Sequence, residues 1–172
     1  ERDLEDLSYA DLGAVDIPYG DPEPVVDAVR NATSTVLAAG MKPLMLGGEH
    51  SISSGAVAAV AERHPDLVLV QLDAHADLRH EWLGAQHSHA CAMRRCLEVL
   101  PSQQLTQIAI RSGTCAESKE LHRSGRLISV PDIPDRMNAL RGRPIYLTVD
   151  LDWFDPAVMP GTGTPEPGGF VW

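Results

Sequence analysis

Two aspartates flank a histidine at alternate positions directly after an apolar run. The run covers residues 67–70, and the polar groups are Asp73, His75 and Asp77. Side chains two residues apart in an extended chain point to the same side, so these three groups can converge on one point. Buried carboxylates are costly unless they are paired or coordinate a metal. The spacing therefore favours a metal site at the end of a buried strand.

Two further segments place the same residue types after apolar runs. His50 closes the segment Gly47-Gly48-Glu49-His50, and Asp150 and Asp152 follow the run "IYLTV". Oxygen and nitrogen donors without a thiolate suit manganese, with nickel or iron as less favoured alternatives. Together the three segments supply enough donors for two divalent cations. The predicted metal ligands are His50, Asp73, His75, Asp77, Asp150 and Asp152.

The alternative interpretation is structural. A single Asp-x-His at a strand end is more often a hydrogen-bonded cap than a metal ligand. Three such segments in one chain, each directly after a predicted strand, favour the metal site over the cap.

Short apolar runs alternate with stretches of helical periodicity along the chain. Apolar spacing and flanking Gly and Pro predict helices over residues 24–39, 51–63, 90–100 and 117–123. Strands are predicted over residues 10–17, 43–46, 66–72, 107–110, 126–130 and 144–149.

This alternation predicts an α/β fold with a parallel sheet that is covered on both faces. In such sheets ligands bind in the crevice beyond the carboxyl ends of the strands. All six predicted metal ligands follow predicted strands, so we expect them at that edge.

Composition and charge argue against several classes of partner. The 172 residues carry a formal net charge of −10, which argues against nucleic acid and anionic membranes and is compatible with a cationic small molecule. The sequence has neither an apolar run long enough to cross a bilayer nor a signal-peptide core at its start.

Cys91, Cys96 and Cys115 follow no metal-binding spacing, and we expect free thiols in a reducing cytoplasm.

Four motifs resemble the ureohydrolases, the family that includes arginases and agmatinases. They are "GGEHS", "DAHADLR", "SHACAMRR" and "DLDWFDPAVMPGTGTPEPGG", which lie in this order between residues 47 and 169. The resemblance implies an arginase-like three-layer α/β/α fold with a mostly parallel, doubly wound sheet. It also predicts one domain over residues 1–172 that is truncated at both ends, so that the sheet is incomplete.

The resemblance assigns roles to individual residues. One manganese would be held by His50, Asp73, Asp77 and Asp150, and the other by His75, Asp73, Asp150 and Asp152. His89 matches the active-site histidine of the family, although spacing alone does not distinguish it from His87. His89 or Asp77 would deliver the proton that the leaving amine needs.

The implied reaction is hydrolysis of a guanidino compound to urea and an amine. Agmatine, giving putrescine, is the expected substrate because the segment after Asp77 lacks the Asn with which arginases hold the α-carboxylate. Guanidinobutyrate, guanidine and arginine remain alternatives, as do a non-catalytic metal-binding paralogue and a deacylase with one zinc. The resemblance also implies a cytoplasmic homo-oligomer, a trimer or hexamer.

Overall fold

Four parallel strands form one sheet in the computed structural model, which describes residues 8–171. In chain order they are β1 (Val68–Leu72), β2 (Leu105–Ile108), β3 (Leu127–Ile128) and β4 (Ile145–Val149). Their spatial order is β3-β2-β1-β4, so β1 lies inside the sheet with β2 on one side and β4 on the other. The predicted parallel sheet is confirmed.

Five α-helices accompany these strands within the described residues: α1 (Pro22–Ala38), α2 (Ile52–Arg63), α3 (Ala92–Cys96), α4 (Cys115–Ser124) and α5 (Ile133–Ala139). Helix α1 begins where the Asp21 carboxylate accepts from the Glu23 amide, and α4 begins with a capping box between Thr114 and Glu117. Gly125 ends α4 with a left-handed φ of 67°, a conformation that glycine adopts at no steric cost.

Helices cover both faces of the sheet. On one face, Leu69 and Leu105 pack against side chains of α2, α3 and α4. On the other face, Val70 and Ile108 pack against Leu140 and the apolar side of α5. The two separate cores confirm the three-layer α/β/α arrangement.

Two predicted strands are wrong. Residues 10–17 and 43–46 form no strand, and none of the described strands pairs with either segment. Leu44 and Leu46 are each 85% exposed, whereas an apolar strand is stable when neighbours bond its backbone and cover its side chains. The apolar composition of residues 10–17 and 43–46 predicted strands, but neither segment has a neighbouring strand to pair with in the described sheet.

Smaller differences concern element ends. The predicted helix over 90–100 is a 3-10 turn, His89–Cys91, followed by the short α3. Strand β2 lies two residues earlier than predicted and ends before Ala109, whose φ of 62° breaks the extended chain. Helix α5 was not predicted. The remaining predicted elements are confirmed to within two residues at each end.

Strand β4 also differs from the prediction that both faces of every strand are buried. It lies at the edge of the sheet, and Ile145, Leu147 and Val149 are exposed. Cys91, Cys96 and Cys115 are free thiols, as predicted. None of the helices in the described part of the chain is both long and apolar enough to cross a membrane.

Close packing of α1 on α2 depends on Gly55. A Cβ atom at this position would lie 2.2 Å from the carbonyl oxygen of Val26, so even a methyl group would force the helices apart. We expect Gly55→Ala to lower the free energy of unfolding by about 1–3 kcal/mol, the usual cost of overpacking, measured by urea unfolding. Gly161→Ala is the control, because no described atom lies within 4 Å of the added Cβ. Equal stability of the two variants would contradict this explanation.

Candidate metal centre

The carboxyl ends of two neighbouring strands carry the central carboxylates. Asp73 directly follows β1 and Asp150 directly follows β4. Leu72 pairs with Val149 in the parallel register, and the amide of Asp150 donates to the carbonyl of Leu72 at 2.9 Å. This register brings the two aspartates to the same edge of the sheet.

A first group of ligand atoms surrounds His50, which precedes α2. Its Nδ1 atom lies 3.0 Å from Oδ2 of Asp73, 3.0 Å from Oδ2 of Asp77 and 3.3 Å from Oδ2 of Asp150. The His50 side chain is only 6% exposed, and its Nδ1 makes no hydrogen bond with correct geometry among residues 8–171. A buried nitrogen that faces three carboxylate oxygens fits a shared cation.

A second group lies beside the first and shares Asp73 with it. Nδ1 of His75 lies 3.0 Å from Oδ2 of Asp152 and 3.7 Å from Oδ1 of Asp73. Asp73 therefore turns one oxygen towards each histidine. The ligand atoms of His50, Asp73 and Asp150, and those of Asp73, His75 and Asp152, lie within 4.8 Å of one another.

All six predicted ligands thus meet at one edge of the sheet. The structure places Asp150 with the first group only, whereas the family resemblance implies that it bridges both metals. Asp77 contacts His50 and has a left-handed φ of 52°. That conformation is costly for a residue other than glycine and is held by its carbonyl, which accepts from the Arg94 amide at 3.0 Å.

The carboxylates raise the pKa values of both histidines. Burial by itself would lower the pKa of His50, but the three carboxylates around its Nδ1 raise it well above its ordinary value. Asp152 and then Asp73 raise the pKa of His75 to about 10 against the opposite effect of burial. Without a metal, these shifts favour the cationic, doubly protonated form of both rings.

The pKa values of Asp73 and Asp77 shift in opposite directions. Burial would raise the pKa of Asp73, but His50 and His75 hold it well below its ordinary value. Burial and then the charge of Asp73 raise the pKa of Asp77 to about 7. A divalent cation would replace one proton on each imidazolium ring, because a metal-ligating imidazole is neutral and keeps its other N–H.

Polar side chains that the sequence analysis missed hold the ligands in place. Nε2 of His50 lies 3.0 Å from Oγ1 of Thr148, which leaves Nδ1 for the carboxylates. Asp152 accepts from the Ala74 amide at 3.1 Å and from the Thr164 hydroxyl at 3.0 Å. Such outer partners fix the orientation of metal ligands. Thr148 lies two residues before Asp150, so the same period-2 spacing could have predicted from the sequence that its side chain lies beside the ligands.

Arg111 ties the loop that carries Asp152 to the Pro- and Gly-rich segment after it. Its Nη2 donates to the carbonyl oxygens of Asp152 at 2.6 Å and Glu166 at 2.7 Å, and its Nε donates to that of Pro167 at 3.1 Å. The Glu166 carboxylate accepts from the Ser112 hydroxyl at 2.8 Å. This Pro- and Gly-rich segment is therefore anchored at the edge of the candidate metal centre.

His89 lines a cavity of about 260 Å³, whose lining also includes candidate ligands from both groups. It is exposed, and its Nδ1 lies 3.3 Å from Oε1 of Glu49. Trp82, whose ring carries the Arg79 guanidinium at 4.1 Å, lines the same cavity. His87 is not among the described residues that line this cavity. The geometry therefore separates two histidines that spacing alone did not.

Comparison with known proteins agrees with this geometry. The family model described as the arginase family matches residues 1–172. The agmatinase of Bacillus subtilis is 35% identical over 99% of this chain and 60% of its own length. The N(1)-aminopropylagmatine ureohydrolase of Synechocystis is 41% identical over 74% of this chain and 44% of its own length.

A solved structure from Clostridium difficile superposes with a TM-score of 0.93 and 37% identity. The match covers 97% of this chain and 62% of that one. The chain thus spans about 60% of the length of the curated relatives that match it over nearly all its residues.

The raised pKa of His75 makes the stability of the metal-free protein depend on pH. A pKa raised from 6.5 to about 10 stabilises the fold fully below pH 6.5, and this stabilisation is lost as the pH rises through 10. We therefore expect the difference in unfolding free energy between wild type and His75→Gln to shrink from pH 6.5 to pH 10. Urea unfolding after chelation measures it.

Thr164→Val provides the matched control. It removes a hydrogen bond to Asp152 from the same cluster without removing a titratable group. Its difference from the wild type should stay nearly constant over this pH range. If the difference in unfolding free energy between wild type and His75→Gln also stayed constant from pH 6.5 to pH 10, the raised pKa of His75 would be contradicted.

Proposed function

Because this chain belongs to the arginase family, we propose that it holds two manganese ions and hydrolyses a guanidino compound to urea and an amine. Agmatine is the proposed substrate and putrescine the proposed product. The observation that carries the proposal is the pair of adjoining ligand groups that share Asp73. Their oxygen- and nitrogen-rich, thiolate-free donors suit manganese.

The proposed metals would be held by His50, Asp73, Asp77 and Asp150 on one side and by His75 and Asp152 with Asp73 on the other. When bound, a pair of divalent cations lowers the pKa of water towards neutrality and so supplies a nucleophile. The chain's part is to keep the ligands fixed and partly buried. Thr148 orients His50, and Thr164 and the Ala74 amide orient Asp152.

Hydrolysis also requires a proton at the leaving amine. The oxygen of water adds to the central guanidino carbon, the bond from this carbon to the substituted nitrogen breaks, and that nitrogen leaves with an added proton. Asp77, which lines the cavity together with His89, is one proposed donor. His89 is the other, since it faces both the cavity and solvent.

A cationic substrate fits the charge of this cavity. Its lining includes the carboxylates of Asp73, Asp77, Asp150, Asp152 and Glu166, and the whole chain carries a net charge of −10. The segment of residues 78–91 contains no Asn, which favours a guanidino compound without an α-carboxylate. Agmatine, which is decarboxylated arginine, meets both conditions.

Metal analysis and urea release from the full-length protein test this proposal. We expect two manganese ions per chain and a higher kcat/KM for agmatine than for arginine, guanidinobutyrate or guanidine. Asp150→Ala should lower the metal content below two and abolish urea release, because a ligand at the carboxyl end of β4 is lost. One zinc per chain would favour a deacylase, and two metals without urea from any substrate would favour a non-catalytic paralogue.

His89 and His87 form a natural pair of test variants. We expect His89→Asn to lower kcat by about 10²–10⁴-fold, the usual contribution of a general acid–base group, with two manganese ions still bound. His87→Asn should keep kcat near the wild-type value because His87 lies outside the cavity lining. Equal effects of the two changes on kcat would exclude a specific role for His89.

The assembly and location of the protein also stay proposals. A homo-oligomer, trimer or hexamer, and a cytoplasmic location are proposed from the family resemblance. Mass measurement of the full-length protein in solution tests the oligomer directly.

A further inference from the structure

Two glutamines are completely buried inside the sheet, directly behind Asp73. Gln71 belongs to β1 and Gln107 to β2, and the two residues are partners in the parallel register. Both side chains are 0% exposed. A buried amide is unfavourable unless hydrogen bonds replace its contacts with water, so two amides at this depth call for a specific role.

Their hydrogen bonds run in one direction and end on Asp73. Nε2 of Gln107 donates to Oε1 of Gln71 at 2.7 Å, and Nε2 of Gln71 donates to Oδ2 of Asp73 at 2.8 Å. Each Nε2 also donates to a backbone carbonyl of the loop after β1, that of Ala76 for Gln107 and that of His75 for Gln71. The pair therefore connects β2, β1 and the ligand loop.

The charge of Asp73 sets this direction. An ionised carboxylate only accepts hydrogen bonds, so Gln71 must turn its NH₂ group towards Asp73 and its oxygen towards Gln107. Gln107 must then donate to Gln71, and its own Oε1 is left buried without a hydrogen-bond partner among residues 8–171. The unpaired oxygen is thus at the far end of the chain of bonds, away from the carboxylate.

We propose that Gln71, supported by Gln107, is a positioning residue that fixes the rotation of the Asp73 carboxylate. The inference rests on the proposed metal centre. Oδ2 of Asp73 is held by Gln71, and Oδ1 accepts from the His75 amide at 2.6 Å. With one donor on each oxygen, the plane of the carboxylate is fixed, and each oxygen keeps a lone pair for a cation.

Asp73 is the residue where such positioning matters most. It is the one ligand present in both groups that the described residues form, so a rotation of its carboxylate would disturb both metals together. Loss of an outer hydrogen-bond partner commonly weakens metal binding by about 10–100-fold. Gln71→Met removes the donor while keeping an unbranched side chain of similar length.

The test measures manganese binding to the full-length protein by calorimetry and by electron paramagnetic resonance of the coupled Mn(II) pair. We expect Gln71→Met to weaken manganese binding by about 10–100-fold and to diminish the coupled-pair signal. Thr106→Val is the matched control. Thr106 is equally buried in β2, but its hydroxyl accepts from Arg136, so this change should leave manganese binding unaltered.

A double variant separates positioning from folding. Gln71→Met with Gln107→Met removes both amides, so the metal-free protein should regain thermal stability lost in the single variant. Manganese binding should stay weak, because Asp73 still lacks its donor. Recovery of manganese binding together with stability would overturn the inference and leave Gln71 a purely structural role.

The remaining outcomes distinguish this inference from the proposed function. If the wild type binds two manganese ions and Gln71→Met binds them equally tightly, the positioning role is overturned and the proposed function stands. If the wild type binds no manganese pair, both are overturned.

Discussion

Compensation of buried negative charge is the constraint on which this structure depends. Four carboxylates lie at the carboxyl ends of β1 and β4, and two imidazoles lie among them. The clearest sign of this constraint is the pair of opposite pKa shifts, with Asp73 lowered by the histidines and Asp77 raised by burial and by Asp73. The fold supplies only two imidazoles for four carboxylates, an imbalance that divalent cations can correct.

The parallel sheet makes this concentration of charge possible because it gives the ligands a rigid base. Direct pairing of β1 with β4 sets Asp73 beside Asp150, and each strand provides a polar residue two positions earlier on the same side. Gln71 contacts Asp73, and Thr148 contacts His50. In β1 and β4, the end of the strand therefore carries a candidate ligand, and the strand itself carries a polar residue that orients a ligand side chain.

Loops complete the centre, and they are held by backbone contacts. Arg111 donates to carbonyl groups of the Asp152 loop and of the segment around Glu166. Behind this contact, the ring of Trp153 stacks on that of Phe170 with centroids 4.8 Å apart. One cation and one aromatic stack thus help to make a segment rich in Pro and Gly a defined wall of the cavity, together with the hydrogen bonds of Thr164 and Glu166.

Local pattern in the sequence determined the α/β class, most helices and strands and the six candidate ligands that meet at one edge of the sheet, because period-2 spacing after an apolar run fixes which side chains share a side. Tertiary structure alone decided what needs a distant partner. Residues 43–46 look like a strand but find no neighbour in the described sheet. Gln107 supports Asp73 through Gln71 only because β2 pairs with β1. The choice of His89 over His87 at the cavity likewise depends on how loops pack. A sequence pattern reports periodicity along one segment, whereas pairing and burial are set by contacts between segments far apart in the chain.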